Sequence, residues 1–158
     1  MAAQVYFIDT SVFCNILPVP GRDQDRVDIV EELKKRQDYA TLILPITTII
    51  ETGNFIAQLA TGGERRAAAA RFVNVLRLIC EGKAPWSLHQ FAWDLEIVQD
   101  LIDGAGTGSG LHEHAEAKVG AGDLTILAEM RSYAHRASPA KVEVWSLDAG
   151  LAAYGAVE

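Results

Sequence analysis

Short apolar runs alternate along this chain with longer stretches in which apolar residues recur every three or four positions. Residues 5–8, Val-Tyr-Phe-Ile, form a run of β-formers and predict a buried strand. Residues 23–37 predict an amphipathic helix with Val27, Val30, Leu33 and the stem of Lys34 inward, and with Lys34, Lys35 and Arg36 complementing the dipole at its end. A second short strand is expected over residues 41–44, after which Pro45 suits the first turn of a helix reaching about Leu59. Thr61-Gly62-Gly63 ends that helix, and residues 64–80 predict another, with an apolar stripe at Phe72, Val75, Leu76 and Ile79, closed by Gly82 and Pro85.

Beyond residue 85 the pattern is weaker. Residues 85–91 are compatible with a short strand and 93–102 with a helix, while the Gly-rich stretch 103–110 is expected to be a mobile loop. Residues 123–136 predict a helix, 142–147 a clear strand, and a short helix is expected from Asp148 onward. Strands alternating with helices predict one α/β domain over residues 1–158, its mainly parallel sheet covered on both faces and joined by right-handed crossovers. In such sheets ligands bind outside the carboxyl ends of the strands.

Composition adds little to that frame: 49% apolar and 22% charged residues are ordinary for a globular chain. The N-terminal MAAQVYFIDTS lacks a basic n-region, and the longest apolar stretch, 42–50, is too short to span a bilayer. Cys14 and Cys80 lie in apolar contexts, which predicts two core thiols and a reducing, cytoplasmic setting. Charge matters more. Fourteen basic against 21 acidic residues leave a net charge of −7, which argues against a general nucleic-acid-binding surface. It leaves room for a nuclease, because a carboxylate cluster that needs cations is neutralised when metal binds.

Two of the expected strands run into aspartate, Asp9 and Asp148, with Thr10, Ser11 and Ser146 placed to hydrogen-bond the carboxylates. Asp123 follows the turn Gly120-Ala121-Gly122, and Glu51 lies about two turns into the helix after the second strand. Asp123 and Asp148 are each also explained as helix caps, and Glu51 as a solvated helix residue. Asp9 has no such explanation, since no helix is expected after it. Uncompensated carboxylates in one cleft raise one another's pKa, a cost that a hard divalent cation removes.

The strings VYFIDTSVF, PITTIIE, GAGDLTILAEM and VWSLDAGL, in this order, resemble the PIN-domain family over nearly the whole chain. The resemblance implies a three-layer α/β/α sandwich and a metal-dependent endoribonuclease. Asp9, Glu51, Asp123 and Asp148 would hold one or two Mg²⁺ or Mn²⁺ ions, and the products would carry a 5′-phosphate and a 3′-hydroxyl. It also implies an RNA substrate, a VapC-like toxin held by a small antitoxin, and a homodimer. Apolar positions 67–72 serve either a dimer or the core. The segment DGAGTGSGLHEHAEAKVGAG is longer and richer in glycine than the family pattern and offers Glu113 and Glu116 as alternatives to Asp123. Cys14 and Asn15 depart from it too, with no role assigned.

Other signals rank lower. His112, Glu113, His114 and Glu116 bring metal-ligand types together, a zinc spacing only on coil or strand. Trp86, Trp93 and Trp145 are expected in the core rather than stacked on bases. Lys34, Lys35 and Arg65 are candidate phosphate contacts. A haloacid-dehalogenase-like phosphatase shares the first aspartate but places an acid where Ser11 stands. A non-catalytic PIN-like module binding RNA or protein is the third alternative.

Overall fold

The computed structural model describes residues 3–137 and 141–157. Strand β1 (Gln4–Ile8) lies at the centre of a four-stranded sheet of order β2-β1-β3-β4, flanked in parallel by β2 (Ala40–Ile43) and β3 (Lys141–Trp145). β4 (Ala156–Val157) pairs antiparallel with β3 at one rim. At the other rim Ser87 makes a single parallel bridge to Ile43, donating to the Leu42 carbonyl and accepting from Leu44 N–H. That bridge is what the strand expected over 85–91 amounts to. The three parallel strands match the sequence pattern to within a residue or two; β4, two residues long, carries no pattern.

Alternation along the strands explains the core. Ile8, Leu42, Leu44 and Trp145 face one side, and Val5, Phe7, Ile43, Val142 and Val144 the other, so each face has its own buried cluster. The first face receives α1 (Thr10–Ile16), α2 (Arg26–Arg36), α3 (Ile46–Ala57) and α4 (Gly62–Cys80). Residues of α5 (Leu95–Ile102), α6 (Leu111–Glu116), α7 (Ala121–Ala137) and α8 (Ala149–Tyr154) meet the second. Among the described residues no helix is long and apolar enough to cross a membrane.

Several expectations fail for physical reasons. A helix follows Asp9 directly: α1 buries Thr10, Val12, Phe13, Cys14 and Asn15, so no polar stripe betrays it in the sequence. In α2 it is Ile29 that is buried, while Val27 stands 81% exposed. Trp86 and Trp145 are core residues, but Trp93 precedes α5 and is 58% exposed. Cys80, at the end of α4, is exposed; Cys14 alone is buried. Residues 103–110 fold into a compact turn that buries Ala105, and a Cβ on Gly104 (φ +85°) would overlap the Ser109 carbonyl oxygen at 1.6 Å.

One buried acid sits apart from the rest. Glu129 on α7 is 2% exposed, and its Oε1 lies 3.2 Å from His89 Nδ1, without hydrogen-bond alignment. Burial pushes the Glu129 carboxyl up to about 7, while burial, helped by the Arg136 charge, lowers the His89 pKa. Both shifts favour neutral forms. A folded pKa near 7 against an ordinary 4.5 means that Glu129 stabilises the fold fully below pH 4.5, and that this contribution is lost as pH rises toward 7. His89 works in the opposite sense below pH 6.5. Melting curves from pH 5 to 8 should therefore show Glu129→Gln gaining on wild type as pH rises; a pH-independent difference would contradict the assignment.

Candidate metal centre

The carboxyl ends of β1, β2 and β3 open on one side of the sheet, and a cleft of about 330 Å³ lies there. Its lining includes Asp9, Thr10, Ser11, Glu51 and Asp123. Asp9 is only 4% exposed. Its backbone N–H extends the ladder to the Trp145 carbonyl at 3.0 Å, so the last turn of β1 pairing fixes its position. Asp9 also stands at the N-cap position of α1, yet its side chain makes no capping bond. Instead Asp9 Oδ2 accepts from Ser11 Oγ and from Ser146 Oγ, each at 2.7 Å. Among the described residues no donor reaches its Oδ1.

Glu51 comes from the second turn of α3. Thr10 Oγ1 donates to Glu51 Oε1 at 2.8 Å, and Thr48, one turn earlier, anchors α3 to β1 by donating to the Ile8 carbonyl at 2.7 Å. Asp123 lies in the first turn of α7, which begins at Ala121 rather than at Asp123 itself. The approach of α7 to Glu51 depends on Gly122, where a Cβ would stand 2.8 Å from Glu51 Oε2. Gly122→Ala should displace that carboxylate and break its bond to Thr10. Disturbing a neighbour that orients a metal ligand typically costs about 10- to 100-fold in metal affinity. Ala is the better helix former, so the melting temperature should hold or rise while divalent-ion affinity, measured by calorimetry, falls; parallel losses of both would contradict this account.

Asp148 is placed differently. Its Oδ1 accepts from Gly150 N–H at 2.8 Å and Leu151 N–H at 3.2 Å, capping α8. It lines a smaller apolar cavity of about 80 Å³ that it shares with Asp123, His114, Leu127 and Tyr154. Asp123 thus lies between Asp9 and Glu51 on one side and Asp148 on the other.

The electrostatics follow from this grouping. Desolvation, and then the charges of Asp9, Asp148 and Glu51, push the Asp123 carboxyl up to about 6. Burial and the Asp9 charge raise Glu51, against the lowering by its Thr10 hydrogen bond. None of the four acids is ion-paired among the described residues. Nor do any three His, Cys, Asp or Glu side chains there converge closely enough, as placed, to hold one ion. Hydroxyls and backbone amides hold Asp9 Oδ2, Glu51 and Asp148 in their present directions. Cys14 also lines the cleft, but burial pushes its thiol up to about 11 and keeps it neutral.

The other sequence candidates fall elsewhere. His112, Glu113, His114 and Glu116 are carried by α6, where residues two apart point to different sides. His114 is buried, with its Nε2 2.6 Å from Thr107 Oγ1, whereas His112 is exposed. Neither Glu113 nor Glu116 lines the cleft. Lys35 pairs with Glu31, Arg65 donates to the Leu59 carbonyl, and neither they nor Lys34 reach the cleft. Its basic lining residue is Arg22, which the sequence pattern did not single out.

An acidic cleft at the carboxyl end of a parallel sheet in an α/β chain is what fold and site together define. No family model, curated protein or solved structure matches the chain.

Proposed function

We propose that this chain is a PIN-like, metal-dependent endoribonuclease that hydrolyses RNA phosphodiester bonds. The observation that carries the proposal is the gathering of Asp9, Glu51 and Asp123 in one cleft with no ion pair to any of them among the described residues; burial and the neighbouring carboxylates push the half-buried Asp123 up to about 6. Such a cluster is costly unless a cation enters it. The donors are all hard oxygens, which suit Mg²⁺ or Mn²⁺ rather than zinc.

Asp9, Glu51 and Asp123 would hold the ion, with Asp148 at its edge, after the carboxylates turn toward it. A bound divalent ion supplies an acidified water and positive charge for the phosphate in flight. The chain supplies placement. Ser11 and Ser146 lock one oxygen of Asp9 and leave the other free, and Thr10 does the same for Glu51. The parallel order β2-β1-β3 with a core on each face supports the three-layer α/β/α arrangement of the PIN family. A toxin role, with a small antitoxin and a homodimer, belongs to the same proposal. The apolar residues that α5 leaves in solvent, Leu95 (87% exposed), Val98 and Ile102, with Trp93 beside them, would suit a protein partner.

The test is cleavage of single-stranded RNA. Activity should require Mg²⁺ or Mn²⁺, vanish in EDTA and return on adding the ion, with products ending in 5′-phosphate. Hydrolysis of p-nitrophenyl phosphate through a trapped aspartyl-phosphate would point to a phosphatase instead. Metal binding without turnover on an RNA pool would point to a binding module.

A further inference from the structure

The cleft that gathers Asp9, Glu51 and Asp123 is hostile to a phosphodiester, which brings negative charge of its own. One basic side chain lines it among the described residues, Arg22, in the connection between α1 and α2. The Arg22 guanidinium lies 3.4 Å from the centroid of the Phe55 ring, on α3. Contact of a guanidinium with a ring face restricts its motion while its charge stays available to a ligand. Among the described residues the Arg22 N–H groups donate no hydrogen bond and form no ion pair, although Asp25 lines the same cleft. Arg22 is exposed, so these donors face the solvent of the cleft, where a ligand would enter past Asp9, Glu51 and Asp123.

The connection carrying it is braced. Asn15 donates to the Ser11 carbonyl at 2.9 Å and accepts from Asp25 N–H at 2.9 Å, while Arg26 donates to the Asn15 carbonyl at 2.8 Å. Asn15 is itself buried. The segment with Arg22 is thereby tied to the helix whose N-terminus presents Asp9, so cation and carboxylates keep a fixed relation.

We infer that Arg22 is the phosphate-binding residue of this cleft, its guanidinium donating to the non-bridging oxygens of the scissile phosphodiester. The inference rests on the ribonuclease proposal and adds a residue to it. A planar fork matches two phosphate oxygens, and its charge offsets what builds up as the phosphoryl group is transferred. Phe55 serves as the platform that keeps the fork in place.

The experiment compares wild type, Arg22→Gln and Arg22→Lys on a single-stranded RNA oligonucleotide, with Mn²⁺ affinity measured separately by calorimetry. Arg22 is exposed, so folding should not suffer. Arg22→Gln should lower kcat/KM by about 100-fold with the Mn²⁺ dissociation constant unchanged within about twofold. Arg22→Lys keeps the charge and loses the fork, so it should recover part of that loss. Wild-type cleavage with Arg22→Gln equally active would overturn the inference and leave the ribonuclease proposal standing. Loss of Mn²⁺ binding in Arg22→Gln would also overturn it, by making Arg22 part of the ion site's framework. A wild type that neither binds Mn²⁺ nor cuts RNA would overturn the proposal and the inference together.

Discussion

Asp9→Asn is expected to lower RNA cleavage by about 1,000-fold or more, with the denaturation midpoint unchanged or slightly raised. The two variants have the same shape. An asparagine oxygen in place of Asp9 Oδ2 still accepts from Ser11 and Ser146, so the amide nitrogen falls where Oδ1 was. There it presents N–H donors and no charge to a cation. The fold loses no hydrogen bond and sheds one charge from a cluster that repels itself, since Asp9 is among the groups that raise Asp123. The pKa of Asp123 should fall accordingly, which a pH titration of the variant's carboxyl resonances would register. Cleavage persisting in folded Asp9→Asn protein would sink the mechanism.

The second large effect is on stability. Phe13 is completely buried and meets Trp86 edge-on at 5.6 Å and Phe72 at 6.4 Å. Phe13→Ala should cost about 3–5 kcal/mol, as truncation of a buried aromatic does. Against a typical domain stability of about 5–15 kcal/mol this is a large share. Urea denaturation should show the midpoint shift with little change in slope. Phe13 also locks α1 to α4, so residual activity of the variant should fall more steeply on warming than that of wild type. A cost below about 1 kcal/mol would mean that the helix is held chiefly by its polar anchors. Asp9→Asn and Phe13→Ala thus dissociate chemistry from folding at positions four residues apart in sequence.

The parallel strands were legible because buried strands write themselves as short apolar runs; Asp9 and Asp148 were picked out as the ends of such runs, Glu51 by its place in the helix after the second, and Asp123 by the glycine turn before it. Asp9, Glu51 and Asp123 do share a cleft. What the sequence hid is instructive. Helix α1 reads as a continuation of β1, because Val12, Phe13 and Cys14 are all buried and no solvent-facing stripe interrupts them. Asp148 stands three residues beyond the end of β3 rather than directly at it, and its carboxylate is engaged by two amides of α8. The Arg22–Phe55 contact joins residues from different elements, and no periodicity records such a pair. Trp93 and Cys80 were assigned inward from their apolar sequence neighbours, and each falls at an element boundary where the chain turns to solvent.

The rims of the sheet have a consequence for self-association. A parallel sheet with bare outer strands offers rows of unpaired amides and carbonyls on which further chains grow into fibrils. Here the outer side of β2 is occupied at its carboxyl end by Ser87, whose own N–H and C=O are consumed in doing so. The outer side of β3 is taken by the antiparallel pair at Ala156 and Val157, with Gly155 accepting from Val144 N–H at 2.7 Å. A Cβ at Gly155 would stand 1.8 Å from Val144 Cγ1, so only glycine lets the returning chain lie this close. The last few residues of the described chain therefore leave β3 no free edge over Val142–Val144 for another strand to pair with, a closure that is separate from anything the acidic cleft does.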